Sequence, residues 1–201
     1  PDLAGLVDGE YVRSAGDPSL EPELSDEISL GAGFAGKVSI DLFARRERRM
    51  ILLRGDSPAV WTGDGEDEVF GARIAAARSR RMLGIDLGYS FSAEYNGSRE
   101  DYSTGIPEYR IAGGIDLKRR SFKNTETVTL GIFGVHAGES RWGDVSLDGY
   151  SVLNASFAVT VMSAVVHLEW RNVLDEEYQT CPGYLMDRRH IRFGFVWNLF
   201  D

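Results

Sequence analysis

Four carboxylates stand close together at Asp64, Glu66, Asp67 and Glu68. Hard cations favour such oxygen ligands, which makes the four weak candidates for a metal site. Their spacing does not match an EF-hand, and a solvated acidic loop is the plainer account. The three histidines, His136, His167 and His190, are dispersed. His190, near Asp187 and Arg188, could touch a metal chelate or stand as an ordinary loop histidine. Trp61, Tyr102, Trp142 and Tyr184 fall between the regular segments described below. There their rings, with the cation of Arg188, could hold a ligand, or could lie at a lipid–water boundary. Arg45, Arg46, Arg48 and Arg49 crowd one segment that Glu47 interrupts, where a bulge fits. Cys181 is either free or paired outside this sequence. No Gly-rich phosphate loop with Lys occurs, and Gly113-Gly114 lies inside a strand pattern rather than a dinucleotide motif. No nucleophile elbow or Ser-His-Asp arrangement is visible. No catalytic residue, resident metal or cofactor is expected, and the chain does not read as an enzyme.

The composition narrows the partners. The 201 residues carry 22 Lys+Arg against 31 Asp+Glu, a formal charge of −9. Nucleic acid is disfavoured as a partner, because phosphate binding needs a basic face. Hydrophobic content of 43% with 26% charged residues excludes a disordered chain. No run of 18 apolar residues exists, so no transmembrane helix is expected. A single cysteine excludes a disulfide framework and a cysteine-based zinc site.

The elements that must carry these residues are strands. Leu83, Ile85, Leu87, Tyr89, Phe91, Ala93 and Tyr95 alternate without a break with Gly84, Asp86, Gly88, Ser90, Ser92 and Glu94. A helix would mix the two sets, so this is one long strand. The same period runs through 109–118, 152–161, 164–171 and 191–199. Weaker strands are expected at about 26–35, 37–53, 67–79 and 125–137, giving nine. Short connections near 35–37, 79–82, 119–124 and 161–163 alternate with long ones near 54–66, 96–107, 138–149 and 172–190. An irregular stretch, 1–25, comes first. Long strands with short turns at one end and long loops at the other suit an outer-membrane barrel better than a soluble sandwich. The polar face is mostly Gly, Ser, Asn and Asp with single charges, which suits a wet lumen. The other face is apolar with aromatics toward strand ends, which suits lipid. A soluble antiparallel barrel with an apolar core is the competing account of the same periodicity.

The last strand is more specific. Arg192-Phe193-Gly194-Phe195-Val196-Trp197-Asn198-Leu199-Phe200 resembles the C-terminal signal by which outer-membrane barrels are recognised for insertion, with Gly194, Trp197, Leu199 and Phe200 as its elements. Asp201 departs from the usual terminal aromatic. Two further segments resemble the TonB-dependent outer-membrane receptor family. Asn172-Val173-Leu174-Asp175-Glu176-Glu177-Tyr178, then Pro182-Gly183-Tyr184, then Arg189, is similar to that family's closing hairpin. Gly16-Asp17-Pro18-Ser19-Leu20-Glu21-Pro22-Glu23-Leu24-Ser25 is similar to a segment that leads into one of its barrel strands, and 1–6 to the opening of the same external loop. Glu21 stands where a basic residue is common, and Leu185-Met186-Asp187-Arg188 where Pro and Gly are common.

The resemblance implies an all-β fold, with an antiparallel up-and-down meander of about nine long strands as the C-terminal segment of a transmembrane β-barrel. Residues 1–201 would be one incomplete barrel domain. The plug, the TonB-contacting segment and the earlier strands would precede Pro1. The whole receptor would be a multi-pass barrel of the outer membrane of a Gram-negative bacterium. Its implied function is energy-coupled uptake of a scarce ligand such as a ferric siderophore, a corrinoid or another metal chelate. Its partners would be the lipid bilayer, TonB through the missing N-terminal region, the barrel assembly machinery through the last strand, and the metal-chelate ligand. The alternatives are a passive porin or structural barrel, and a soluble β-barrel ligand binder. If the last strand ends in the periplasm, the long connections and 1–25 are external. Most acidic residues then lie outside, while Arg78, Arg80, Arg81, Lys118, Arg119, Arg120 and Lys123 gather at the periplasmic turns.

Overall fold

The computed structural model describes residues 3–7, 10–14, 21–35, 37–54, 60–98, 105–120, 126–142 and 145–197, with side chains in 21–35, 37–50, 66–98, 105–120, 126–142 and 145–197. Strands β1 (Leu3–Val7) and β2 (Glu10–Ser14) form a small hairpin. Next come β3 (Leu24–Phe34), β4 (Val38–Arg54), β5 (Val60–Met82), β6 (Ile85–Ser98), β7 (Tyr109–Arg120) and β8 (Glu126–Ala137). A short hairpin, β9 (Ser140–Trp142) with β10 (Val145–Leu147), precedes β11 (Tyr150–Val161) and β12 (Ala164–Arg171). Another, β13 (Gln179–Cys181) with β14 (Tyr184–Leu185), precedes β15 (His190–Trp197).

Nine of these strands make one sheet in the order β15-β12-β11-β8-β7-β6-β5-β4-β3. Every neighbouring pair is antiparallel. This is the nine-strand meander that the period-two pattern predicts. The side-chain period of two carries one polarity across the whole sheet. One cross-strand row reads Leu30, Leu42, Ala72, Tyr95, Tyr109. The adjacent row, on the other face, reads Gly31, Asp41, Arg73, Glu94, Arg110, Ala137, Tyr150.

The apolar face is uncovered. Ile28, Leu30 and Phe193 are 81%, 76% and 70% exposed, and the large apolar residues of β3 to β15 follow suit. Among the described residues only Phe43, Met50, Val69, Ala137 and Leu147 are buried apolar side chains, and they form no continuous core. A soluble barrel would bury the apolar face and wet the polar one. In this sheet the apolar face is exposed.

Several expectations are corrected. The 1–25 segment is not irregular throughout, since it contains the β1–β2 hairpin and the start of β3. The alternation starting at Leu83 overruns the strand. Leu83 and Gly84 both have positive φ (50° and 78°), the signature of a type I′ turn whose twist matches its flanking strands. The strand therefore begins at Ile85. The largest correction concerns 54–66, expected as a loop. β5 begins at Val60 and runs 23 residues, against the roughly 9–11 that a tilted strand needs to cross a bilayer. Trp61, Asp64, Glu66, Asp67 and Glu68 are thus strand residues, because pairing with the equally extended β4 continues to Val60. Similarly, Trp142 lies on β9, Cys181 on β13, Tyr184 on β14 and His190 on β15.

β4 shows why four arginines can share one segment. Arg45 points to the polar face, where it meets Glu47 at 2.8 Å and Glu27 at 3.9 Å. Arg46 and Arg48 point to the other face, to Glu66 at 3.4 Å and to Asp26. The ladder then slips at Arg48/Met50, with Arg49 at φ 59°, a bulge just past the Glu47 where one was expected. Arg49 pairs with Glu21 at 2.7 Å. On the polar face Arg73 lies 4.1 Å from the Phe43 ring centroid and reaches Glu94 at 3.1 Å and Glu27 at 3.4 Å.

Candidate functional site

The segment joining β12 to β15 is knotted around one buried side chain. β12 ends where Asn172 takes a positive φ of 49°, a conformation asparagine tolerates better than most residues. Asn172 is 3% exposed. Its Oδ1 accepts from the Glu176 amide at 3.0 Å, and its Nδ2 donates to the Glu176 carbonyl at 2.7 Å and the Asp187 carbonyl at 3.2 Å. Its own amide donates to Asn154 Oδ1 at 3.0 Å. Asn172 thereby joins both limbs of the loop through its side chain and ties them to β11 through its amide.

A second clamp closes the loop base. Arg188 donates through Nε and Nη2 to the two Asp175 oxygens at 3.2 and 3.0 Å, and Arg188 also meets Glu177. The Arg189 amide donates to Asp175 Oδ1 at 3.0 Å. These donors, the Arg188 guanidinium first, hold the Asp175 carboxyl down at about 2. The Arg188 guanidinium is raised in turn by Asp175. A carboxyl lowered by folding contributes stability that is complete above its unfolded value near 3.8 and is lost as pH falls through its folded value. The clamp is therefore expected to hold from neutral pH down to about pH 4 and to open progressively from there toward pH 2. The protection factor of the Arg189 amide, taken relative to intrinsic exchange at each pH, should fall over that window, and in Asp175→Asn it should be low already at pH 6. Equal protection at Arg189 in the wild type and in Asp175→Asn would contradict the clamp.

Further out, Tyr178 stacks on Tyr150 with ring centroids 4.3 Å apart. Burial, first of all, pushes the Tyr178 hydroxyl up. Gly183, at φ 74°, turns the tip while its amide donates to Gln179 Oε1 at 2.9 Å. Cys181 is free, and burial pushes its thiol up.

Between this loop and the polar face of the sheet lies a cavity of about 530 Å³, lined by Asn154, Glu169, Arg171, Tyr178, Asp187 and His190 above and by Ser90, Asp116 and Ser156 below. Its polar groups are of both signs. Arg171 reaches Glu169 at 2.8 Å, and Arg192 lies 3.7 Å from Asp187. His190 Nδ1 contacts the Arg188 carbonyl at 2.8 Å, so that nitrogen carries the proton. Nε2 then accepts from Arg192 Nε at 3.1 Å. Such an arrangement can orient a polar or charged guest through several donors and acceptors at once. It presents no nucleophile paired with a base.

The structure separates the residues that the sequence marks. Of the four candidate ligand contacts whose side chains are described, His190 alone lines this cavity. Arg188 is engaged by Asp175 and Glu177. Tyr184 is 61% exposed on β14. Trp142 sits over Gly105, where a Cβ would come within 2.0 Å of its ring. Tyr102 and the side chain of Trp61 lie outside the described residues, as do the side chain of Asp64 and all of Leu199 and Phe200. Glu66, Asp67 and Glu68 do not form one cluster: strand alternation sends Asp67 to the polar face and its neighbours to the other. Gly194 has a packing reason for being glycine, since a Cβ there would lie 2.1 Å from the His167 ring across the β12–β15 pair. Asn154, Glu169, Arg171 and Asp116 line the cavity without any motif to mark them. Their signal was present as the polar parity of their strands, but parity alone does not say which polar residues share a cavity.

No protein-family model and no curated protein matches the chain. Solved structures do. The FrpB iron transporter from Neisseria meningitidis (F3-3 variant) matches with a TM-score of 0.54 at 14% identity, covering 92% of this chain and 32% of that one. The pyoverdine outer membrane receptor FpvA from Pseudomonas aeruginosa PAO1, bound to pyoverdine, matches with a TM-score of 0.57 at 16% identity, covering 90% of this chain and 30% of that one. The structure of the FpvAI–pyocin S2 complex gives 0.52, at 16% identity and 89% and 28% coverage. The chain spans less than a third of the length of these chains, and at such identities the likeness is one of fold.

Proposed function

We propose that this chain is a C-terminal portion of the β-barrel of a TonB-dependent outer-membrane receptor. The whole receptor then takes up a scarce ligand such as a ferric siderophore, a corrinoid or another metal chelate, with energy delivered through TonB. The observation that carries this reading is the exposed apolar face of the sheet. Nine strands expose a continuous apolar face, while the opposite face is polar and charged and opens into a cavity. Exposing that much apolar surface to water would be unfavourable at about 25 cal/mol per Å², whereas lipid covers it without cost. The fold likeness to an iron transporter and a pyoverdine receptor supports the same reading, as does the ordered loop at Asn172–Arg189.

The edges of the sheet, β3 and β15, each have one partner. Open edges are not tolerated in the hydrocarbon core, so further strands must close the barrel. Receptors of this kind have 22 strands and a plugged lumen. The barrel makes and breaks no bond in the ligand. It binds at its loops and cavity and yields a passage when the plug moves. The last strand would be read by the barrel assembly machinery.

Uptake assays test this. A strain lacking the receptor, complemented with the full gene, is expected to accumulate one labelled iron chelate or corrinoid, and to lose that uptake when TonB is inactivated. Uptake that persists without TonB would instead favour a passive porin. A full chain that stays folded and monodisperse without detergent would favour the soluble binder.

A further inference from the structure

The apolar face of the sheet is bounded by charge at both ends, and the two ends differ. On β5 the residues of that face between Glu68 and Arg78 are Phe70, Ala72, Ile74 and Ala76. The stretch of strand between the two charges matches the roughly 9–11 residues that a tilted strand needs to cross hydrocarbon. On β7 the apolar run from Tyr109 ends at Arg119 in the same way. At the Glu68 end the arginines are satisfied within the sheet, Arg46 by Glu66 and Arg48 by Asp26. At the other end Arg78, Arg80 and Arg119 are exposed and make no ion pair among the described residues. Arg81 beside them points to the polar face and meets Asp86 at 3.8 Å. Among the described residues Glu126 is the one carboxylate of the apolar face at this end, against the three guanidinium groups.

The neighbouring turn fixes the level of these arginines. β4 begins at Val38, opposite Ala76, and the turn between β3 and β4 lies beside Ala77, whose amide donates to the Lys37 carbonyl at 3.0 Å. A turn has backbone groups without ladder partners and stays out of hydrocarbon. Arg78 and Arg80 therefore follow where the hydrocarbon ends, on a stretch of β5 that projects past β4 and pairs with β6 alone. Across that ladder Arg78 faces Tyr89 and Arg80 faces Leu87. Arg119 stands two strands from β5, about 10 Å across the sheet, with Ile85 opposite it on β6. Three cations thus frame an apolar strip of β6, and the turn tip beyond the strip is Leu83, 96% exposed. We propose that this corner binds a phospholipid with an anionic headgroup. Its phosphate is held by Arg78 and Arg80, Arg119 completes the positive field, and its acyl chains lie along the β6 strip. Guanidinium groups bind phosphate oxygens in pairs, and the Tyr89 hydroxyl suits the interface between chain and headgroup. Three cations against one carboxylate repel the ammonium of a zwitterionic headgroup, so the charge selects the anionic lipid. The inference rests on the barrel reading above.

The test uses the full receptor in a neutral detergent, with binding of added phosphatidylglycerol or phosphatidylethanolamine followed by native mass spectrometry. The wild type is expected to bind phosphatidylglycerol at least tenfold more tightly than phosphatidylethanolamine. Arg78→Gln with Arg80→Gln is expected to weaken phosphatidylglycerol binding about tenfold, to leave phosphatidylethanolamine binding unchanged, and to keep heat-modifiable mobility on gels, since both side chains are exposed and unpaired. Inorganic phosphate in large excess is expected not to displace the lipid. Should the double variant fail to fold, Arg119→Gln, on another strand, decides, with an expected loss of about threefold. The proposal is overturned if the wild type does not distinguish the two lipids, if the folded double variant binds phosphatidylglycerol as tightly as wild type, if Arg119→Gln leaves the affinity unchanged, or if inorganic phosphate displaces the lipid. A receptor that fails in one of these ways while still needing detergent to stay folded loses this site alone. One that stays folded and monodisperse without detergent loses the barrel reading with it.

Discussion

Gly71→Ala is expected to destabilise the folded receptor by about 3 kcal/mol or more, while Gly33→Ala is expected to be nearly silent. Gly71 faces Phe43 across the β4–β5 ladder. A Cβ at Gly71 would lie 2.1 Å from the Tyr95 carbonyl and 2.5 Å from Phe43 Cζ. Neither neighbour has room to retreat. The Tyr95 carbonyl belongs to the β5–β6 ladder. The Phe43 ring is 4% exposed and carries the Arg73 guanidinium, which Glu94 and Glu27 hold in turn. Overpacking here shifts a backbone or breaks a cation–π contact and two ion pairs together. Gly33 has nothing within 4 Å of the same added atom. Urea midpoints of the two full-length variants, followed by loss of heat-modifiable mobility, measure the contrast. Equal midpoints would show that the glycine, Phe43 and Arg73 do not act as one packed unit.

Asn172→Ala is expected to cost about 3 kcal/mol, because three backbone groups lose their bonds at once. The Glu176 amide, the Glu176 carbonyl and the Asp187 carbonyl all depend on this side chain. Alanine must also hold a φ of 49°, at about 1 kcal/mol. Asn172→Gly relieves the second cost and not the first, so the glycine variant should be the more stable of the two by about that amount. Hydrogen exchange across 172–189 gives the local reading. Protection in that loop is expected to collapse in both variants while the β6–β8 ladder keeps its own. If the loop stays protected in Asn172→Ala, the knot is held by the Arg188–Asp175 clamp instead. That clamp is exposed and open to solvent screening.

The sequence showed the loop more clearly than it showed its reasons. Asn172, Asp175, Tyr178, Gly183 and Arg189 stood out as a spaced set similar to a receptor's closing hairpin. Their bonding is partly local, asparagine and aspartate to nearby backbone, and that much was legible. The tie from Asn172 to Asn154 spans 18 residues and depends on β11 lying beside β12. The acidic run misled for a related reason. Asp64, Glu66, Asp67 and Glu68 are adjacent in the chain, and adjacency suggested a common cluster. Once β5 extends to Val60, alternation divides them between two faces. Asp67 then finds its companion in Ser98, which belongs to the next strand.

What the sequence by itself determined was parity. Alternation is a property of each strand alone, so it marked nine strands and their polar and apolar faces. What only the tertiary structure decided was register and reach. Register sets which polar residues stand side by side, and it placed Glu94 beside Arg73 and His190 above Glu169's cavity. Reach is set by how far two strands continue to pair, which turned an expected loop into strand. Both rest on hydrogen bonds between residues distant in the chain, and no local pattern encodes those.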